Sequence, residues 1–144
     1  MDLIGPSRPS DFAAVTELLA RCGLPNADVG AHLEHFNVAR DGDRVVGVIG
    51  LEVHGTRGLL RSLVVAEDRR GRGMTRRLYA AALVTASRIG LSELYCMSTM
   101  EGYFELLGWR ALAPDEVPPE IRGSEEYRAL ASVATCMMRR MPRE

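Results

Sequence analysis

An apolar strand that runs straight into an arginine-glycine loop and then a helix constrains this chain more than any other stretch. It reads Leu63-Val64-Val65-Ala66-Glu67-Asp68-Arg69-Arg70-Gly71-Arg72-Gly73-Met74-Thr75. Gly71 and Gly73 lack a Cβ, so the backbone there can turn tightly and approach a ligand closely. The amides from Arg70 to Thr75 surround the start of a helix. Free N–H groups and the helix dipole together favour an anion at such a point. Arg69, Arg70, Arg72, Arg76 and Arg77 add positive charge. The alternative is a plain strand-to-helix turn with a solvated arginine face.

The pattern on either side supplies the context. Residues 2–6 form a short candidate strand stopped by Pro6, and Ser10 or Asp11 can cap a helix that runs to about Arg21. Phe12, Val15, Leu19 and Cys22 recur at helical spacing and predict its buried face. A short helical turn through His32 and Leu33 follows a glycine- and proline-broken stretch. Phe36–Arg40, Val45–Val53 and Leu59–Val65 read as three antiparallel strands joined by turns at Asp41-Gly42-Asp43 and His54–Gly58. After the loop, Leu78, Ala82, Thr85 and Ile89 predict one helix face, and Gly90 ends the helix. Glu93–Ser98 is the next strand, so the unit favours parallel pairing through a right-handed crossover. A short helix over 100–107, a proline-rich connection, a partly helical stretch over 120–130 and a closing strand over 133–139 complete the reading.

Composition narrows the function classes. A chain of 144 residues predicts one domain over 1–144. A net charge of −1 gives no overall bias toward nucleic acid or membrane. A nucleic-acid role for the loop arginines is disfavoured because no aromatic residues are interleaved with them. Cys22, Cys96 and Cys136 lie far apart in apolar stretches and predict buried, reduced thiols. No basic-then-apolar leader is visible, and the apolar runs fall short of the ~20 residues that span a bilayer. The default expectation is a cytoplasmic protein.

Known phosphate loops fit poorly. GxxxxGK(S/T) is absent, and the GxGxxG spacing fails because Arg76 stands where the third glycine belongs. Instead, Arg70-Gly71-Arg72-Gly73-Met74-Thr75 resembles the Q/R-x-x-G-x-G/A signature of the GNAT superfamily of N-acetyltransferases. The element order also resembles that fold over nearly the whole chain. The resemblance implies an α/β (α+β) architecture: a mixed sheet of about six or seven strands flanked by about four helices. It also implies acetyl-CoA, with no metal, in a cleft where the parallel strands 59–65 and 93–98 splay apart. Leu63, Val64 and Val65 would meet the pantetheine arm, and Arg70, Gly71, Arg72, Gly73, Met74 and Thr75 the pyrophosphate. Thr75 departs from the signature; its hydroxyl would cap the helix or reach a phosphate, or its β-branch would crowd the cofactor.

Tyr103-Phe104-Glu105-Leu106-Leu107-Gly108-Trp109 resembles the family's F-Y-x-x-x-G-F/W element. The tyrosine that acts as general acid in many members is replaced by Phe104, which would line the cofactor. Tyr103 lies about 100° away around a helix and does not substitute for it. Tyr103, Phe104 and Trp109 are otherwise core.

Scattered stretches, among them 23–28, 32–36, 47–52, 59–63 and 117–122, resemble the arsenic-resistance-type branch. That branch implies a small, amino-acid-like amine acceptor, and the family admits a homodimer. Glu52 is then a candidate base and Arg61 a clamp for a substrate anion; a cross-strand ion pair is the simpler reading. Alternation places Arg61 on one strand face with Leu63 and Val65. Ser98 is a candidate polar contact at the strand end. Thr99, Arg122 and His35 are candidate substrate contacts, against solvated surface. His32, His35 and His54 could relay a proton, and no metal-ligand spacing joins them. The alternatives are a non-catalytic acetyl-CoA-binding module and an enzyme that acetylates a protein amine.

Overall fold

The computed structural model describes residues 2–142. Its centre is a seven-stranded sheet in the order β1-β2-β3-β4-β5-β7-β6. The strands are β1 (Leu3–Pro6), β2 (Asn37–Asp41), β3 (Arg44–His54), β4 (Arg57–Val65), β5 (Glu93–Ser98), β6 (Arg110–Ala111) and β7 (Thr135–Arg140). β4 and β5 pair in parallel, and every other neighbouring pair is antiparallel. The helices are α1 (Phe12–Arg21), α2 (Val29–His32), α3 (Met74–Arg88), α4 (Glu101–Leu106), α5 (Pro119–Arg122) and α6 (Glu125–Leu130). This is the mixed sheet with flanking helices that the family resemblance implies, with seven strands as expected and six helices where about four were implied.

Each sheet face carries its own core. On one, α3 and α4 cover Val46, Ile49, Leu51, Leu60, Val65 and Leu94. On the other, Val15 and Leu19 of α1 and Val29 of α2 pack on Val38, Val48 and Val64. Farther along that face, Ile121 of α5 joins Leu59, Tyr95 and Met138. The helix faces predicted from spacing are correct at their centres and wrong at their ends. Phe12 and Cys22 of the first helix and Ile89 of the third are exposed, while Met74 and Ala86 are buried instead. Asp11 sits at the N-cap of α1 without capping it by its side chain. Its carboxylate is gripped by Arg40, whose hydrogen bond holds its pKa low.

One irregularity in β4 decides where the site residues point. The β3–β4 register runs Gly47↔Val65 and Val48↔Val64, then resumes as Gly50↔Arg61 and Glu52↔Leu59. Two residues of β4, Ser62 and Leu63, thus oppose Ile49 alone. This is a β-bulge, which breaks the two-residue alternation. Ser62 adopts a φ of 62°, a left-handed conformation rarely taken by a non-glycine residue. As a result Arg61 does not share a face with Leu63 and Val65. It turns to the opposite side, beneath the α2 and α6 layer.

Candidate active site

The β4–β5 pairing begins at Arg57↔Glu93 and ends at Leu60↔Cys96. Beyond that rung β4 continues to Val65 and β5 to Ser98, so the two strands part. Leu63, Val64 and Val65 lie on the parted segment of β4. Directly after it come the glycine loop and the 15-residue helix α3.

In the loop, Gly71 and Gly73 have φ values of 79° and 78°, and Gly73 is the N-cap of α3. A Cβ at either would meet nothing within 4 Å, so backbone conformation, not crowding, calls for glycine there. Thr75 is an exposed residue of the first helical turn, and the N-cap position belongs to Gly73, which has no side chain to cap with. Its hydroxyl therefore does not perform the capping role its type suggests.

The arginine cluster divides. Arg69 is drawn off by the carboxylates of Asp2, Asp41 and Asp68. Arg77 donates to the Asp2 carbonyl, and Arg70 folds back on the Val65 carbonyl at 3.0 Å. Arg72 and Arg76 remain exposed beside the open amides. A cavity of about 860 Å³ opens nearby between α1, the β2–β3 turn and the end of β4, with Leu18, Cys22, Asp43, Ala66 and Arg70 in its wall.

On the other side of the parting strands lies a buried charge cluster centred on Arg61, whose side chain is 0% exposed. Its Nη1 donates to Asp28 Oδ2 at 2.6 Å and Glu52 Oε1 at 2.9 Å. Its Nη2 donates to Asp28 Oδ1 at 2.7 Å and the Pro25 carbonyl at 3.4 Å. Its Nε donates to Ser62 Oγ at 3.0 Å. A guanidinium has five N–H groups, and all five are committed within the chain. The anion-clamp role expected of Arg61 therefore has no donor left to serve it.

Glu52 is equally engaged. Oε2 meets His54 Nε2 at 2.6 Å, and Oε1 lies 3.6 Å from His32 Nε2 as well as accepting from Arg61. Burial pushes the Asp28 carboxyl up, but the Arg61 hydrogen bonds and charge outweigh it and its pKa is lowered. Burial likewise opposes the Arg61 charge, yet Asp28, Glu126 and Glu52 hold its pKa above the ordinary value. Glu126 of α6 completes the cluster. Its side chain is 7% exposed and its Oε1 lies 3.9 Å from Arg61 Nε, without a hydrogen-bond partner among the described residues.

Asp28, His32 and Glu52 bring potential metal-ligating atoms within 4.8 Å of one another, a grouping that sequence spacing did not disclose. The oxygens concerned already accept from Arg61 Nη1, so the guanidinium supplies the cation there.

The remaining candidates scatter. Ser98 is buried, and its Oγ accepts from the Met100 amide at 2.8 Å, which ties down the turn into α4. Thr99 and Arg122 are exposed. His35 stands 3.7 Å from Glu34 and outside the Arg61 cluster. Phe104 packs edge-on against Trp109 and Tyr103 at ring separations of 5.5 and 5.6 Å. No motif or spacing in the sequence marks Asp28 or Glu126. Both come from segments far from Arg61 in the chain, and only the bulged strand brings them together.

The family model for the acetyltransferase (GNAT) family matches residues 7–109. The chain belongs to this family. A GNAT relative, an uncharacterised N-acetyltransferase of Chlorobaculum tepidum, is 26% identical over 91 residues, covering 62% of this chain and 59% of its own. N-acetylglutamate synthase from Neisseria gonorrhoeae, complexed with coenzyme A and N-acetyl-glutamate, superposes with a TM-score of 0.81 at 22% identity; the match covers 99% of this chain and 36% of the synthase. A Mycobacterium tuberculosis protein in complex with CoA gives a TM-score of 0.78 at 17% identity, covering 97% of this chain and 99% of its own. At such identities the structural likenesses establish the GNAT fold. The chain spans 59% of the curated relative and 36% of the synthase. Among the described residues no helix is long and apolar enough to cross a membrane.

Proposed function

We propose that the protein transfers the acetyl group of acetyl-CoA to the primary amine of a small, amino-acid-like acceptor. The observation that carries this reading is the parting of β4 and β5 between a glycine-bound helix N-terminus on one side and a buried acidic cluster on the other. The open stretch of β4 at Leu63, Val64 and Val65 offers backbone groups to the pantetheine arm. The amides of Arg70–Thr75 face the pyrophosphate, supported by the dipole of α3. Arg72 and Arg76 supply countercharge, and Phe104 lies on the cofactor side.

The acceptor side is anionic. Asp28, Glu52 and Glu126 surround a single guanidinium, so the cluster favours an ammonium group. Arg61 acts in this reading as the fixed hub that holds Asp28 and Glu52 in place, and Glu52 lines the acceptor site as part of that anionic wall. The resemblance of scattered stretches to arsenic-resistance-type sequences supports an amino-acid acceptor that carries a second acidic, toxic group. Thr99, His35 and Arg122 are the candidate contacts for that group.

The test is thiol release from acetyl-CoA by the purified chain. Acceptors would be glycine, L-glutamate, 3-aminopropylphosphonate, an amino acid bearing an arsenic oxyacid, putrescine and a peptide with a free N-terminus. Turnover with an acid-bearing small amine supports the proposal. Thermal stabilisation by acetyl-CoA with no thiol release from any amine would instead identify a binding module. Turnover confined to the peptide would identify a protein-modifying enzyme.

A further inference from the structure

We infer that Glu126 is the residue that binds the acceptor's ammonium group and accepts its proton. The inference rests on the acetyl-transfer reading above and assigns the proton acceptor to the C-terminal segment, outside the stretch 7–109 that the family model matches.

The first ground is hydrogen-bond accounting. Buried carboxylate oxygens are expected to have partners, and one without them signals a missing donor. Asp28 spends both oxygens on Arg61, and Glu52 divides its own between Arg61 and His54. Among the described residues, Glu126 Oε1 has no partner. Arg61 does not supply one, because its Nε lies 3.9 Å away and donates to Ser62 instead. An ammonium group brings the donors that this oxygen lacks.

The second ground is position. Arg61 is the first residue of β4 beyond the last paired rung, Leu60↔Cys96. Glu126, beside it, therefore stands where the two strands begin to part. The ionisable groups whose charge couples to it are Arg61 from β4 at 3.9 Å, Glu52 from β3, Asp28 from the segment before α2, Cys96 from β5 and Glu125 from its own helix. Arg61 alone among these is cationic, so with all carboxylates ionised the Asp28, Glu52, Glu126 and Arg61 group carries a surplus of negative charge. An ammonium reduces that surplus.

The third ground is basicity. Burial, reinforced by Asp28 and Glu52 against the pull of Arg61, pushes the Glu126 carboxyl up to about 7. A base is most effective when its pKa lies near the working pH.

The step balances simply. One proton moves from the bound ammonium to Glu126 Oε1 and leaves the nitrogen lone pair free. The nitrogen attacks the thioester carbonyl carbon, so a C–N bond forms and the C–S bond breaks. The sulfur leaves with the electron pair and takes a second proton from the nitrogen. The products are the amide, the free thiol and a protonated Glu126, which returns its proton to water.

Glu126→Gln keeps the shape and removes the base. The experiment compares it with the unaltered protein in thiol release, using the fastest acceptor of the panel, across pH 5.5 to 9. Acetyl-CoA binding is followed in parallel by thermal shift. The expected result is a fall in turnover of about 100-fold or more, loss of the pH-rate limb near 7, and an unchanged acetyl-CoA shift. Activity within about 3-fold of the original with the same limb would overturn the inference while leaving acetyl transfer intact. A matched loss of turnover and of the acetyl-CoA shift would show a structural role and would also overturn it. If the unaltered protein releases no thiol with any amine, the acetyl-transfer reading itself fails and takes this inference with it.

Discussion

Arg61 has every N–H of its guanidinium tied to groups of its own chain, among them the buried carboxylate of Glu52 and the half-buried one of Asp28. Replacing it with methionine preserves bulk and removes the guanidinium that Asp28 and Glu52 share. Breaking a buried ion pair from one side typically costs about 3–5 kcal/mol. Urea unfolding of Arg61→Met at pH 7 should show a loss of that order. A loss under about 1 kcal/mol, the scale of an exposed pair, would mean the cluster is solvated. Glu126 gives the opposite kind of prediction. Its carboxyl is raised from 4.5 to about 7, so the folded state holds a proton that the unfolded chain releases. No penalty exists below pH 4.5, where both states are protonated. Stability then falls as pH rises from about 4.5 through 7, by roughly 3 kcal/mol in all at 1.36 kcal/mol per pKa unit. Without ligand, Glu126→Gln should therefore gain stability relative to the unaltered protein between pH 5 and pH 8, as read by urea unfolding at both values. A constant difference would remove the buried charge from the account.

At the scale of elements, the glycine loop and the β4 bulge set the geometry. Gly73→Ala places a Cβ on a backbone at φ 78° without any steric clash around it. The cost is then backbone strain alone, about 1–2 kcal/mol. Because the same turn aims the first amides of α3, the Michaelis constant for acetyl-CoA should rise more than turnover falls. Equal changes in both would separate the loop from cofactor binding. On the neighbouring strand, a Cβ at Gly50 would sit 2.4 Å from Phe36 Cζ. Gly50→Ala should therefore destabilise by about 1–3 kcal/mol through overpacking, measured by thermal unfolding. These elements also show what could be read from sequence. The hairpins at Gly42 and Gly55, the loop and the crossover helix were legible because turn residues and apolar periods agree locally. The two-residue β6 carries no period at all. The facing of Arg61 was misread because Ser62, a residue with no preference for positive φ, slips the alternation by one. Asp28 and Glu126 are hidden for a related reason: each is an ordinary surface-type acid until the fold brings it against Arg61.

Across the whole molecule, the cleft is a fault line in the sheet. β1 to β4 form one side and β5, β7 and β6 the other, joined along the sheet by the four rungs from Arg57↔Glu93 to Leu60↔Cys96. The Arg57 bridges to Glu93 and Glu120 clamp the closed end. A cofactor bound in the open end would link both sides through hydrogen bonds that the sheet itself does not make. A ligand that binds only the folded state at 100 times its dissociation constant adds about 2.7 kcal/mol. At about 2–4 °C per kcal/mol for a chain of this size, acetyl-CoA should raise the melting temperature by about 5–10 °C. The location of that gain distinguishes cleft binding from a general effect. Amide hydrogen exchange should slow most at Leu63, Val64 and Val65, at Met97 and Ser98, and in the first turn of α3. β2, paired on both edges and remote from the cleft, should change little beyond the global shift. Pantetheine, which lacks the phosphates, should protect the strand amides but not the α3 turn. If acetyl-CoA instead protected all elements equally, or protected the wall of the α1-side cavity at Leu18 and Cys22 first, the cofactor would lie elsewhere and the parted strands would lose their assigned role.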